Sequence, residues 1–181
     1  EEFVVAAFSN GKVVLVALDD GRVLATYDTQ AYALHPQGDA LALATGDGAV
    51  QMLDLTAPDP VPARLEGVTT ASAAGTSTAA PLAMRPDGKQ LAVIDQDGGA
   101  WLWQPADGGE LRLDSGTARL QSLVFSGDGR YVAGRGTAPS GGGYVALWVA
   151  ASGGRVLERT YAGPATCVQP RVSGRALASA M

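Results

Sequence analysis

Apolar residues along this chain come in short runs, each closed by a cluster of Gly, Pro, Asp, Asn or Ser. The runs lie at 3–8, 13–18, 23–27, 40–44, 50–55, 91–94, 120–125 and 145–149, and all are rich in Val, Leu, Ala and aromatic residues. Such runs are too short for stable helices and read as strands. No window sustains apolar positions at i, i+3, i+4 and i+7 between caps, so the pattern predicts an all-β chain with little or no helix. The 24 glycines and 10 prolines among 181 residues supply the turns between strands.

The pattern also repeats. HPQGDALALATGDGAVQMLDL from His35, RPDGKQLAVIDQDGGAWLW from Arg85 and SGDGRYVAGRGTAPSGGGYVALW from Ser126 share one plan, and RVSGRALASA from Arg171 begins it again. Each complete copy gives a Gly-containing turn, a small apolar strand, a second Asp/Gly-rich turn and a strand ending in Leu or Trp. Aligning Gly38, Gly88, Gly129 and Gly174 gives spacings of 50, 41 and 45 residues. A period of this size with about four strands per unit predicts the blades of a β-propeller.

These repeats resemble those of the WD40 family, most closely at Arg85-Pro86-Asp87-Gly88-Lys89-Gln90-Leu91-Ala92 and Asp97-Gly98-Gly99-Ala100-Trp101-Leu102-Trp103. The resemblance covers nearly the whole chain, with departures. The Gly-His dipeptide that opens the family's repeat is absent, and its terminal Trp-Asp is split: Leu53-Asp54 keeps the Asp, Trp103-Gln104 and Trp148-Val149 keep the Trp. The family's structural Asp-His-Ser-Trp network is therefore incomplete here. The opening unit, Ser9-Asn10-Gly11-Lys12 and the strands after it, is also similar to quinoprotein-type propeller repeats. Few Lys relative to Arg, with abundant Ala and Gly, point to a GC-rich bacterial source.

With the strands of a blade lettered a to d from the axis outward, the expected units are 1–29 (strands b to d), 30–67, 80–115, 118–162 and 164–181 (strands a and b). That is three whole blades and two partial ones within a single propeller domain, 1–181. A seven-bladed ring at this period needs roughly 280–300 residues. Either further blades lie on other sequence, or the last strands pair with the first to close a small ring, or an edge stays open. An open edge invites aggregation, which favours the first reading, a piece of a larger ring.

Charge and composition remove several functions. The net charge is −5 and no stretch concentrates Lys and Arg, which argues against nucleic acid. No apolar run approaches the length of a membrane span, and a cytoplasmic location is expected. One Cys and one His leave too few soft ligands for zinc and no internal disulfide, so neither metal nor cofactor is expected. His35, just before a proline at an a–b turn, reads as a turn residue rather than a general base. Cys167 reads as a small buried hydrophobe, since no second His could activate it. The turns at Asp19-Asp20-Gly21, Asp47-Gly48, Asp95-Gln96-Asp97-Gly98 and Asp128-Gly129 suit tight hairpins and lack the spacing of a calcium loop. The glycines at 134, 136 and 141–143 carry no nucleotide motif. The repeat positions of Trp101, Trp103 and Trp148 predict packing between blades.

Two longer connections remain, 68–80 from d to a and 135–143 from b to c. Because strands within a blade alternate in direction, both must emerge on one face of the disc, beside the turn at Asp97. Rigid scaffolds bind through such loops. The expected partner-binding residues are Thr76, Ser77, Asp97, Arg135, Thr137 and Ser140, with Arg135 pairing to a carboxylate. No catalytic constellation is present, so the sequence points to a non-catalytic interaction or scaffolding module for a protein or peptide. WD40 resemblance implies the same, with attachment to further blades or an effector domain. The alternatives are a propeller enzyme of lactonase or quinoprotein type with an axial ligand, for which the inner strands offer Arg85 and Gln121 but no acid, and a ligand-sensing regulatory domain.

Overall fold

The computed structural model describes residues 3–8, 11–29, 31–35, 37–45, 47–57, 62–65, 70, 81–170 and 176–180. Every regular element among them is a β-strand. The first sheet, blade 1, holds β1 (Phe3–Phe8), β2 (Lys12–Ala17) and β3 (Val23–Asp28). Blade 2 holds β4 (Ala31–Leu34), β5 (Ala40–Ala44), β6 (Val50–Asp54) and β7 (Ala63–Leu65). Blade 3 holds β8 (Leu82–Met84), β9 (Leu91–Ile94), β10 (Ala100–Gln104) and β11 (Gly109–Leu113). Blade 4 holds β12 (Arg119–Phe125), β13 (Tyr131–Thr137), β14 (Gly143–Val149) and β15 (Arg155–Tyr161), and a pair of β16 (Ala165–Pro170) and β17 (Ala176–Ala180) follows. All pairings are antiparallel and follow chain order.

Turn chemistry makes this order possible. Each a–b hairpin closes on a glycine with a left-handed backbone, at φ +83° for Gly38, +70° for Gly88 and +67° for Gly129, which a side chain would strain. The neighbouring Asp seals the turn: Asp87 Oδ1 accepts from Lys89 N at 3.1 Å, and Asp128 Oδ1 accepts from Arg130 N at 3.1 Å and Ser126 Oγ at 2.6 Å.

Strand alternation then sorts side chains to the two faces of every blade. On strand b the face toward the preceding blade takes large residues, Leu41 and Leu43 in blade 2 and Leu91 and Val93 in blade 3. The opposite face takes mostly small ones, Ala42 and Ala44, then Ala92 beside Ile94. Large against small lets adjacent sheets interdigitate. The last residue of this face on strand c is Leu53, Trp103 and Trp148 in turn, each directed at the preceding blade as the repeat alignment predicts. Trp103 is 3% exposed, and Trp148 is fully buried. The Trp148 indole N–H donates to Asp114 O of blade 3 at 3.0 Å, so the ring both fills the seam and satisfies its own polar atom.

Backbone hydrogen bonds stitch the seams at one end. Where the chain passes into the next blade, an N–H donates to the carbonyl of a b–c turn glycine: Thr29 N to Gly11 O at 2.7 Å, Thr70 N to Gly48 O at 2.8 Å and Leu120 N to Gly98 O at 2.9 Å. At the other end side chains do this work. Arg85 Nε donates to Gly129 O at 3.0 Å, and His35 Nε2 meets Pro86 O at 2.7 Å while its Nδ1 faces the Asp39 carboxylate. His35 is buried and joins the a–b turns of blades 2 and 3, in keeping with the structural role read for it.

Candidate interaction face

The b–c turns and d–a connections emerge at the end of the blades where strand a begins. Blade 3 contributes the turn from Asp95 to Gly99. Asp95 organises it as an acceptor for Asp97 N at 3.0 Å, Gly99 N at 2.8 Å and the Trp101 indole at 2.9 Å. That leaves Gln96 and Asp97 exposed at the tip. Arg119, the first residue of β12, reaches across the seam and donates to Gln96 O at 3.1 Å.

From Arg119 a polar row continues into blade 4. Arg119 pairs with Thr137 across the β12–β13 ladder, and Gln121 Nε2 donates to Thr137 Oγ1 at 3.4 Å. The register shifts between Leu120 and Ser122, so Gln121 is a bulged residue turned out to solvent. Beyond it lie Arg135, and at the tip of the turn the exposed Pro139 and Ser140. Exposed side chains here are of both charges, Asp97 and Arg119, with amides and hydroxyls between them.

Arg135 corrects the sequence expectation. Pairing between β13 and β14 runs out to Thr137 and Gly143, so the turn is only 138–142 and Arg135 is a strand residue. It is 7% exposed, and its guanidinium donates to Ala165 O at 3.2 Å and Gln121 Oε1 at 3.5 Å. It thus ties β13 to β16 and props the bulge, instead of waiting in a loop for a carboxylate. Glycine composition caused the misreading. A Cβ at Gly136 would lie 2.0 Å from Arg119 O, and one at Gly134 would lie 2.8 Å from Trp148 Cζ3, so both glycines permit close approach within a strand.

Of the other expected residues, Asp97 and Ser140 are exposed on this face and Thr137 is half-buried within the row, while Thr76 and Ser77 lie outside the described residues. Thr70, in the d–a connection, is buried and bridges to Asp95. Arg119 and Gln96 complete the row and were not singled out from sequence. The signal that could have found Arg119 is its place at the start of strand a, next to a turn on the preceding blade. Arg85, an inner-strand candidate, is committed to the seam with Gly129 and lies 3.6 Å from Asp87 Oδ2. Asp47, Asp54 and Asp128 are held below the usual carboxylate range chiefly by the hydroxyls of Thr45, Thr56 and Ser126, which marks them as turn-forming groups. Among the described residues no three His, Cys, Asp or Glu side chains converge as metal ligands would, and no helix is long and apolar enough to cross a membrane.

No protein-family model matches the sequence, and no curated protein does. Solved structures do. The crystal structure of the Myceliophteria thermophila Cps50 (Swd1) β-propeller domain is 17% identical, with a TM-score of 0.65 over 98% of this chain and 58% of that one. Kuenenia stuttgartiensis hydrazine synthase is 16% identical, with a TM-score of 0.65 over 92% of this chain and 48% of that one. This chain thus spans about half the length of each. At such identities the likeness speaks for the fold alone, and with the antiparallel sheets described above it makes the chain a β-propeller built of four-stranded blades.

Proposed function

We propose that this chain is a non-catalytic interaction module of the WD40 kind, which holds a protein or peptide partner across the face formed by its b–c turns and d–a connections. The observation that carries the reading is the continuous row of Gln96, Asp97, Arg119, Gln121 and Thr137. It crosses the seam between two blades, and every position is fixed by backbone pairing or a hydrogen bond. A preorganised row of mixed charge suits a partner that offers both donors and acceptors, as an extended peptide backbone does. The Swd1 β-propeller domain shows the same fold, and hydrazine synthase shows that a similar fold also occurs in an enzyme. The second reading, a ligand at the axis, draws on the bulge that turns Gln121 outward beside Arg135.

The test is site-directed photocrosslinking in cells of the source organism, with the probe at Ser140 or Asp97, and at Asp87 or Asp128 on the opposite face as controls. Capture of the same discrete protein from Ser140 and Asp97, lost on Arg119→Glu while the melting temperature holds, is the expected result. Capture from the opposite face alone would overturn the proposal. Loss of a small-molecule signal in Gln121→Ala with no crosslinked protein would move the site to the axis.

A further inference from the structure

His35 is the chain's one histidine, and the interaction face described above makes no use of it. It ends strand a of blade 2 and opens the turn to strand b, where its N–H donates to Ala40 O and its carbonyl accepts from Gly38 N, both at 2.8 Å. Only 3% of the residue meets solvent. The imidazole is directed at blade 3 and lies on the bare face of Gly88, where an added Cβ would be 3.5 Å from its Cδ2. Both ring nitrogens meet oxygens that can only accept. Nε2 lies 2.7 Å from Pro86 O, across the seam, and Nδ1, with no other partner among the described residues, lies against Asp39 Oδ1 of its own turn.

A neutral imidazole has one N–H and one lone pair, whereas the imidazolium has two N–H groups. Set between a carbonyl and a carboxylate, the neutral ring turns its lone pair on one of the two oxygens, in a place shielded from water. Only the charged ring donates to both. The next seam holds the same device in permanent form. Arg85 has the equivalent position, with its N–H donating to Gln90 O and its carbonyl accepting from Gly88 N, both at 2.9 Å. Its guanidinium likewise serves one carbonyl of the following blade, Gly129 O at 3.0 Å, and one carboxylate of its own turn, Asp87 Oδ2 at 3.6 Å. Arginine stays charged throughout, while histidine is the side chain that changes charge between about pH 5 and 8. The other charged groups of the two turns are engaged elsewhere or turned to solvent. On blade 3, Asp87 accepts from Lys89 N at 3.1 Å besides facing Arg85, and the Lys89 side chain is exposed. On blade 2, Asp54, which pairs with Ala40, accepts from Thr56.

We propose that the seam between blades 2 and 3 is a proton-operated latch, closed at its a–b end while the His35 ring carries two protons and released there when it gives one up. The favourable contacts belong to the charged ring, so their contribution to stability is complete at the acid end of the range and is lost as pH rises. At the far end of the same seam the bond from Thr70 N to Gly48 O joins two backbone groups that do not titrate. Loss of the proton therefore loosens one end of the seam and leaves the other pinned, so blade 2 can pivot against blade 3 without separating from it.

The experiment compares the 181-residue chain with its Asp39→Asn variant from about pH 5 to 8. An amide at this position accepts from a protonated Nδ1 or donates to a bare one, so the variant keeps the contact across the range. The Asp39 side chain is 43% exposed, and the exchange is nearly isosteric, so the fold is kept. As pH rises, the melting temperature of the unaltered chain should fall by roughly 3–12 °C more than that of Asp39→Asn, the worth of hydrogen bonds to a charged group in a chain of this length. Nitrogen-15 NMR reads the ring directly, because the chain has a single imidazole. Both ring nitrogens should carry protons at the acid end, and one should lose its proton over the range in which the melting temperature falls. Equal pH dependence of the two chains overturns the proposal, as does a ring with only one proton at the acid end. A ring that keeps both protons at the alkaline end also overturns it, since the latch would then be a permanent clip like that of Arg85.

Discussion

Removing the Trp148 side chain is the sharpest test of how the blades are held together. The ring is fully buried, sits against Gly134 and Leu123 of its own blade, and belongs to the cluster with Ala92, Ile94, Leu102 and Leu113 of blade 3. Trp148→Ala takes away the ring and leaves a cavity bounded by two sheets that are fixed by their ladders, which restricts collapse. Substitutions of this size in a rigid core cost about 3–5 kcal/mol. The indole hydrogen bond to Asp114 O adds little to this, since that carbonyl also accepts from Arg155 at 3.4 Å. For a chain of this length each kcal/mol moves the melting temperature by roughly 2–4 °C. Trp148→Ala should therefore lower it by roughly 6–20 °C, read by circular dichroism together with urea midpoints. Trp148→Phe keeps most of the volume and should lose less than half as much. Trp101, half-exposed and bonded to Asp95, is the internal control, with Trp101→Ala smaller than either Trp103→Ala or Trp148→Ala. A loss below about 1 kcal/mol at both Trp103 and Trp148 would show that these rings do not set the seams, and would refute the repeat register with it.

Gly134→Ala should destabilise by about 1–3 kcal/mol through overpacking against the Trp148 ring, and much of that loss should disappear in the Trp148→Phe background, as a double-mutant cycle would show. Tyr144 is 1% exposed in the same seam, and burial, with the Glu158 carboxylate adding to it, pushes its phenol up to about 12. In the unfolded chain the phenol ionises near 10, so stability should be intact below about pH 10 and fall as pH rises toward about 12. Phenolate absorbance should show a late-titrating component that is lost in Tyr144→Phe.

Strand positions were legible because the runs between turns have one meaning once they repeat. The segments read at 3–8, 40–44 and 91–94 coincide with β1, β5 and β9, and the run read at 120–125 falls within β12. Repeat position also pointed Trp101, Trp103 and Trp148 to the seams, where Trp103 and Trp148 are buried and Trp101 is partly so. Arg135 was misplaced because composition does not distinguish a glycine in a loop from one beneath a tryptophan. At Gly134 and Gly136 the missing Cβ serves the neighbour, and nothing in the local sequence names that neighbour. The bulge at Gln121 was invisible for a related reason, since an extra residue shows only when both strands of a ladder are known. Contacts such as His35 to Pro86 and Arg119 to Gln96 join residues 51 and 23 positions apart, and only the stacking of blades brings them together.

The hydrogen bonds from Thr29, Thr70 and Leu120 to turn glycines bear on how modular this architecture is. Each lies across the boundary at which one would divide the chain into repeats. A blade excised at its apparent ends would carry Gly48 or Gly98 with its carbonyl stripped of its donor, while the next blade would lose the anchor for its first strand. The repeat seen in sequence is therefore not the unit that stands alone. Each of these b–c turns is completed only by the first residues of the next blade, so the geometry of a blade's own turn depends on its successor being in place.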